Sequence, residues 1–121
     1  MCIRDSFLSI EGSGLAEGYT ALTGATPSLS LSVGGSFSLT LSGNTTISFA
    51  DAPATGSSGF SLKVTQDSGG SGFAVTWPAS VKWPTGTAPE LTATADKSDV
   101  FVFTTDDGGA SFVGLVAGKD I

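Results

Sequence analysis

The chain has 121 residues and a net charge of −6; 40% of its residues are hydrophobic, 13% are charged, and it contains no histidine. That length is sufficient for one domain with a hydrophobic core. The acidic balance argues against binding to phosphate backbones, and no apolar stretch approaches membrane-spanning length, so we expect neither a nucleic acid nor a membrane as a partner.

The first six residues, Met-Cys-Ile-Arg-Asp-Ser, resemble the translation of a transposon-end sequencing adapter. We interpret residues 1–6 as an artefact and exclude them from the fold prediction. Without them the counts of basic and acidic residues fall from 5 to 4 and from 11 to 10, so the net charge remains −6. Cys2 and Arg4 are removed as well, and the remaining sequence has no cysteine, histidine or arginine. Disulfides and thiolate or imidazole metal sites are therefore excluded, and we expect no cofactor.

Residues 7–27 contain four glycines and show no sustained hydrophobic period. We interpret this stretch as the end of an upstream segment or a linker, with a short strand near Tyr19–Leu22. The folded domain is predicted to span residues 28–121.

From Ser28 onward, apolar side chains alternate with serine and threonine, which is typical of half-buried strands. The apolar positions are all odd-numbered: Leu29, Leu31, Val33, Phe37, Leu39, Leu41, Ile47 and Phe49. A two-residue hairpin at Gly43-Asn44 would place apolar partners on opposite faces. The connection is therefore either a loop with an odd number of residues or an arch to a second sheet. By the same parity, Gly34-Gly35 is either a bend within one strand or another odd connection.

Further short strands are predicted along the rest of the chain, separated by loops rich in glycine, serine and proline: Phe60–Val64, Phe73–Trp77, Val81–Trp83 and Leu91–Ala95. Proline follows Trp77 and Trp83, and because proline cannot donate to a strand ladder, each pair ends or edges a strand. About seven or eight short strands without a helical pattern predict an all-β fold, an antiparallel β-sandwich or jelly roll.

The stretch Asp99–Gly118 is predicted to form a β-hairpin about Asp107-Gly108, a dipeptide suited to a type I′ turn. The predicted register pairs Phe103 with Phe112, Phe101 with Gly114, Val102 with Val113, and Val100 with Leu115. Both faces of this hairpin are apolar, so we expect a central strand pair that is covered on both sides. Either the loop Trp77–Pro89 covers the second face, with Trp83 against Val100, Val102 or Val113, or another chain covers it.

The tip of the hairpin has the pattern Thr105-x-Asp107-x-Gly109-x-Ser111-Phe112, with Gly108 inside it. This pattern resembles the Asp-box of sialidases and other secreted β proteins, in which it is a structural hairpin tip and not a catalytic site. A sialidase would also need repeated blades and a cluster of arginines. Because Arg4 is the only arginine, we reject a sialidase.

Four segments in this order resemble a β module of tail-fibre and other virion structural proteins of tailed bacteriophages: Phe37–Phe49, Phe60–Asp67, Thr76–Pro84, and Asp99–Phe103 with its Asp-Gly-Gly tip. The resemblance covers roughly residues 25–121, and Trp-Pro-x-x-Val-x-Trp-Pro is its most specific part. It implies a non-enzymatic virion structural module of a tail fibre or appendage, involved in host attachment. It also implies an extracellular location on the virion, contact with a host-surface glycan, and a homotrimer in the intact protein.

Several side chains could bind a ligand. Asp106 and Asp107 are weak candidates for calcium, which prefers oxygen ligands, although such an aspartate more commonly caps the amides of its own turn. Trp77 and Trp83 form either a platform for stacking a sugar or the rim of the core. A carbohydrate-binding or Ig-like adhesin domain of a bacterial surface protein is accordingly the alternative function.

Catalysis would have to depend on carboxylates, serine or threonine. The close acidic pairs are Asp96 with Asp99 and Asp106 with Asp107, and we interpret them as solvated turn residues. No serine lies in a nucleophile-elbow pattern, and no histidine is present to activate one. A polysaccharide-degrading enzyme is therefore only the third hypothesis, and we expect no enzymatic activity.

Overall fold

The computed structural model describes residues 19–32 and 34–121; the predictions made for residues 1–18 and for Val33 lie outside this part of the chain. Within it lie ten strands and one three-residue 3-10 helix, Pro84–Gly86. The strands are β1 (Tyr19–Leu22), β2 (Ser28–Ser30), β3 (Ser36–Thr40), β4 (Thr45–Thr46), β5 (Ser48–Ala50), β6 (Ser58–Thr65), β7 (Val75–Thr76), β8 (Val81–Lys82), β9 (Ser98–Thr105) and β10 (Phe112–Gly118).

The strands form two layers. The larger layer is a six-stranded sheet with the order β1-β3-β6-β9-β10-β8, and the other layer consists of the pairs β2-β5 and β4-β7. Backbone bonds join these two pairs, because the amide of Thr46 donates to Ala25 and the amide of Ile47 donates to Thr76. The β4–β5 segment thus lies between the chain around β2 and β7. The predicted all-β sandwich is confirmed.

The strand directions differ from the prediction. The ladders β1-β3, β3-β6, β2-β5, β4-β7 and β10-β8 are parallel, and only β6-β9 and β9-β10 are antiparallel. From β1 to β7 the chain crosses back and forth between the two layers. The segment from β1 to β7 therefore forms about three turns of a flattened coil whose neighbouring strands are parallel. The antiparallel pair β9-β10 comes after this coil in the chain.

Crossing between layers explains the parity of the apolar residues. Leu41 lies at the end of β3 in the large sheet, whereas Ile47 lies in the opposite layer, and both are buried. The chain around Gly43-Asn44 is thus an inter-sheet arch, the second of the two alternatives left open by the sequence. A residue that points inward in one layer can point inward again after such an arch, without an odd-membered hairpin loop.

One predicted strand is confirmed and another is wrong. The strand predicted near Tyr19–Leu22 is present and pairs in parallel with Ser36–Leu39, so the sheet begins before residue 28. Residues 91–95 do not form a strand. Their backbone instead serves as a partner for side chains, since the carbonyl of Thr92 accepts from Gln66 Nε2 at 3.2 Å.

The core lies between the two layers. Its buried apolar side chains alternate along the strands, and they are Leu29, Phe37, Leu39, Leu41, Ile47, Phe60, Leu62, Val64, Val81, Phe101, Phe103 and Phe112. Phe49 of β5 packs the small layer against the large sheet. The centroid of its ring lies 4.9 Å from the ring centroid of Phe60, 5.1 Å from that of Phe103 and 4.8 Å from that of Phe112. Edge-to-face pairs of this kind contribute beyond the area that they bury.

The strands β9 and β10 pair as an antiparallel hairpin, but the predicted register is wrong by two residues. Val102 faces Leu115 and Phe103 faces Gly114, with a shift in register between Val100 and Phe101. The connection between the strands spans residues 106–111. Positive φ angles occur at Gly108 (73°) and Gly109 (90°) but not at Asp107. A type I′ turn at Asp107-Gly108 is therefore absent, because that turn needs positive φ at both positions.

In the part of the chain that the structure describes, none of the helical segments has the length and apolar character needed to cross a membrane.

Candidate functional site

The hairpin tip is organised around the carboxylate of Asp107. Oδ1 accepts from the amide of Ser111 at 3.0 Å and from Thr105 Oγ1 at 3.0 Å, and Oδ2 accepts from Ser111 Oγ at 2.6 Å. Thr105 Oγ1 in turn accepts from the amide of Gly109 at 3.1 Å. The motif residues therefore bond with one another, and Phe112 points into the core, where it is 3% exposed.

A second turn, which the sequence analysis missed, has the same pair of bonds from a serine to an aspartate four residues earlier. Asp67 Oδ1 accepts from the amide of Ser71 at 2.8 Å, and Oδ2 accepts from Ser71 Oγ at 2.7 Å. The signal was present as Thr65-x-Asp67-x-Gly69-x-Ser71, which repeats the spacing at the hairpin tip 40 residues earlier. It is hard to recognise because Gly72 stands where the tip has its aromatic residue, and Phe73 follows one position later.

Both turns hold their aspartates in the ionised form. The hydroxyl and then the amide of Ser111 lower the pKa of Asp107 from 3.8 to about 2, with a smaller contribution from Thr105. The hydroxyl and amide of Ser71 likewise lower the pKa of Asp67. Bonds that stabilise the charged carboxylate have this effect. These carboxylates therefore act as fixed acceptors at neutral pH, which suits a turn and not a general acid.

The calcium hypothesis gains no support from this geometry. Both oxygens of Asp107 accept bonds from the turn itself, and Asp106 is exposed beside it. Among residues 19–32 and 34–121 no group of three or more acidic, cysteine or histidine residues is arranged to hold a metal ion.

Trp77 and Trp83 lie at the rim of the core. Their rings meet edge-to-face, with centroids 5.4 Å apart and planes inclined at 65°. Trp77 lies 4.8 Å from Phe101, and Trp83 lies 5.7 Å from Phe103. Both tryptophans are half-buried and pack on the inner face of the large sheet. They do not form the coplanar exposed platform that stacking of a sugar would require, so the rim-of-core alternative describes their position.

Asp99 is a buried carboxylate within β9, so its interpretation as a solvated turn residue is wrong. It is 1% exposed, and it accepts from the amide of Thr92 at 2.7 Å, from Thr92 Oγ1 at 2.8 Å and from the amide of Asp120 at 3.0 Å. Lys119 Nζ lies 3.7 Å away and also donates to the carbonyl of Glu90. Burial raises the pKa of Asp99, but these bonds and the charge of Lys119 outweigh it and leave the pKa below its ordinary value.

The outer face of the large sheet points away from the second layer. Side chains with hydroxyl groups dominate its half on β1, β3 and β6, and apolar side chains dominate its half on β9 and β10. One row of paired residues crosses five strands from β1 to β10, and it consists of Tyr19, Ser36, Ser61, Val102 and Leu115. The hydroxyl half holds a shallow groove of about 480 Å³, along which Tyr19 OH lies 2.6 Å from Ser38 Oγ. In the apolar half, Val113 and Leu115 are 49% and 46% exposed.

The carboxylates that could act in catalysis are therefore either bonded to nearby backbone amides or distant from one another. The most unusual exposed surface is the apolar half of the outer face. No protein-family model, curated protein or solved structure matches this chain.

Proposed function

We propose that the chain is a non-enzymatic structural module of a bacteriophage virion, located in a tail fibre or appendage and contributing to host attachment. The resemblance of residues 25–121 to such modules motivates this proposal. The observation that carries it is the use of the aspartates, because Asp67, Asp99 and Asp107 each bond to nearby backbone amides and fix turns or the chain end. Carboxylates that stabilise the backbone in this way suit a structural protein with a rigid fold.

The composition supports the same role. The outer positions of β3 and β6 are serine or threonine apart from Gly59 and Lys63, and three of the described carboxylates hold connections in place. The edge-to-face geometry of Trp77 and Trp83 gives no support to the alternative, a carbohydrate-binding adhesin domain that stacks sugars on these two rings.

The genes that flank this coding sequence in its source DNA test the proposal. We expect genes for tail or baseplate proteins on at least one side. Genes for cell-wall anchoring or secretion of a surface protein would instead support the bacterial adhesin and overturn the proposal. As a second measurement, antibodies raised against the chain should label the tails of phage particles purified from the same source. Labelling of bacterial cell walls alone would contradict it.

A further inference from the structure

The outer face carries a continuous apolar strip, which we define as Val100, Val102, Val113 and Leu115. Val102 faces Leu115 directly, and Val113 lies opposite Thr104 in the adjacent row. Val113 and Leu115 are about half exposed, and Val100 and Val102 are half-buried. Four neighbouring apolar side chains at the surface of a small domain mark an interaction site more often than a solvated face.

The loop that the sequence offered as a cover for this strip packs elsewhere. Trp83 lies against Phe101, Phe103 and Gly114 on the inner face of the same hairpin. It therefore covers the opposite side of β9 and β10. Among the residues that the structure describes, no other loop takes its place over Val113 or Leu115, as their exposure shows.

The charges around the strip select the kind of partner. Lys63 pairs with Val100 on one side, and Lys82 pairs with Val113 on the other. Both lysines are exposed. Asp99 is buried, and the other described carboxylates stand in connections or at the chain end: Asp51, Asp67, Glu90, Asp96, Asp106, Asp107 and Asp120. Among them, Asp106 adjoins the strip, because it lines a shallow groove with Thr104 and Val113. The outer face thus carries two lysines beside one adjoining carboxylate, in a chain whose net charge is −6.

We propose that this face binds a second copy of this chain, which covers the apolar strip and pairs exposed carboxylates of its connections with Lys63 and Lys82. Two outer faces placed together would oppose four lysines, whereas the strand ends of a second copy offer carboxylates. The contact therefore uses a different surface on each copy, and such contacts close into rings or grow into filaments. This inference deepens the proposed structural role, on which its biological meaning rests.

The size of the face sets the expected strength. Six strands about 4.8 Å apart and roughly 20 Å long present on the order of 500 Å². Stable complexes bury about 800 Å² on each partner. The association is therefore expected to be weak and to need a high protein concentration.

The test is analytical ultracentrifugation of the full 121-residue chain at concentrations up to about 1 mM, in about 20 mM and about 500 mM salt. We expect concentration-dependent association that weakens in high salt, because screening reduces the attraction between lysines and carboxylates. Leu115→Ser and Lys63→Glu should each weaken the association at least tenfold, and Thr104→Val, which extends the strip, should strengthen it.

Matched controls isolate the surface. Lys97→Glu makes the same charge change at an exposed position outside the outer face, beside Asp96 in the connection before β9, so it should not weaken the association. Tyr19→Ser removes an exposed ring from the other end of the sheet and should leave the association unchanged. Melting curves confirm that each variant is folded.

A chain that stays monomeric at about 1 mM would overturn the proposal. An association that strengthens in high salt, or on Lys63→Glu, would overturn it in favour of outer faces placed together. Neither result bears on the flanking genes, so this inference and the proposed function can fail separately.

Discussion

Gly114 and the ring of Trp83 occupy adjoining space that leaves no room for a side chain at position 114. A Cβ at this position would lie 2.7 Å from Cζ3 of Trp83 and 2.9 Å from Cγ1 of Val81. Phe103 lies opposite Gly114 across the ladder. The sequence predicted that Phe101 would lie opposite Gly114, but Phe103, two residues later, takes this place, and the indole of Trp83 fills the remaining space.

Gly114→Ala is expected to lower the free energy of unfolding by about 1–3 kcal/mol, because the indole of Trp83 must move or strain to admit a methyl group. Chemical denaturation measures the change. Gly59→Ala is the matched control, since a Cβ there would lie 3.6 Å from its nearest neighbours, and it should be neutral or slightly stabilising. In a Trp83→Phe background the cost of Gly114→Ala should shrink, and equal costs in both backgrounds would show that the ring is not the obstacle.

Asp99→Asn should destabilise the domain by about 3 kcal/mol, because the new NH₂ group cannot accept a hydrogen bond and leaves the N–H of Thr92 or of Asp120 unpaired. Asp96→Asn is a matched control three residues away, where the side chain is exposed and the backbone has a positive φ of 61°, which asparagine tolerates. Urea denaturation of the two variants tests the difference, and equal midpoints would contradict the role assigned to Asp99.

The two aspartate turns should contribute independently. Asp67 follows β6 and Asp107 follows β9, and since these strands are antiparallel neighbours the turns lie at opposite ends of the sheet. Asp67→Ala and Asp107→Ala should each lower the melting temperature, and their effects should add in the double variant. Asp106→Ala, beside the second turn, should have no effect. A double variant no worse than either single variant would show that the turns are coupled.

Stability should be constant between about pH 5.5 and pH 8 and should fall in acid. The chain has no histidine, so no side chain has an ordinary pKa in that range. Asp67, Asp99 and Asp107 have a lower pKa in the folded chain than their ordinary 3.8. The folded state then binds fewer protons than the unfolded state, and stability that is present above about pH 4 is lost as pH falls.

For Asp107 this loss extends to about pH 2. Melting temperatures measured from pH 2 to pH 8 test the expectation, with Asp107→Asn as the comparison, because that variant should lose less stability between pH 4 and pH 2. A maximum near pH 6 to 7 would contradict the assignment of the titrating groups to these three aspartates.

Much of the fold could be predicted because alternation reports burial directly. Leu39, Leu62 and Phe103 each occupy an apolar position of an alternating strand, and all three are buried as the alternation predicts. Strand direction could not be predicted in the same way, since the alternation of a half-buried strand is the same in parallel and antiparallel ladders. For the same reason, the alternation could not decide whether the connection after Leu41 is an odd-membered hairpin loop or an arch to the second sheet.

The hairpin register was missed because two apolar faces fit more than one alignment. Pairing Phe101 or Phe103 with Gly114 satisfies the same rule, and the choice depends on the turn, in which Gly108 and Gly109 take the positive φ angles. The buried role of Asp99 was missed because its partners, Thr92 and Asp120, are distant in sequence and meet only when the chain end packs against β9.

The parallel coil has a consequence for the order in which the protein folds. The hairpin partners Thr104 and Val113 are separated by 9 residues, whereas the in-register partners Tyr19, Ser36 and Ser61 are separated by 17 and 25 residues. Closing the longer loops costs about 0.5–1 kcal/mol more each. We therefore expect β9 and β10 to form first and to serve as the template on which β6, β3 and β1 are added in turn. During synthesis, the strands that leave the ribosome first would then be the last to find their partners.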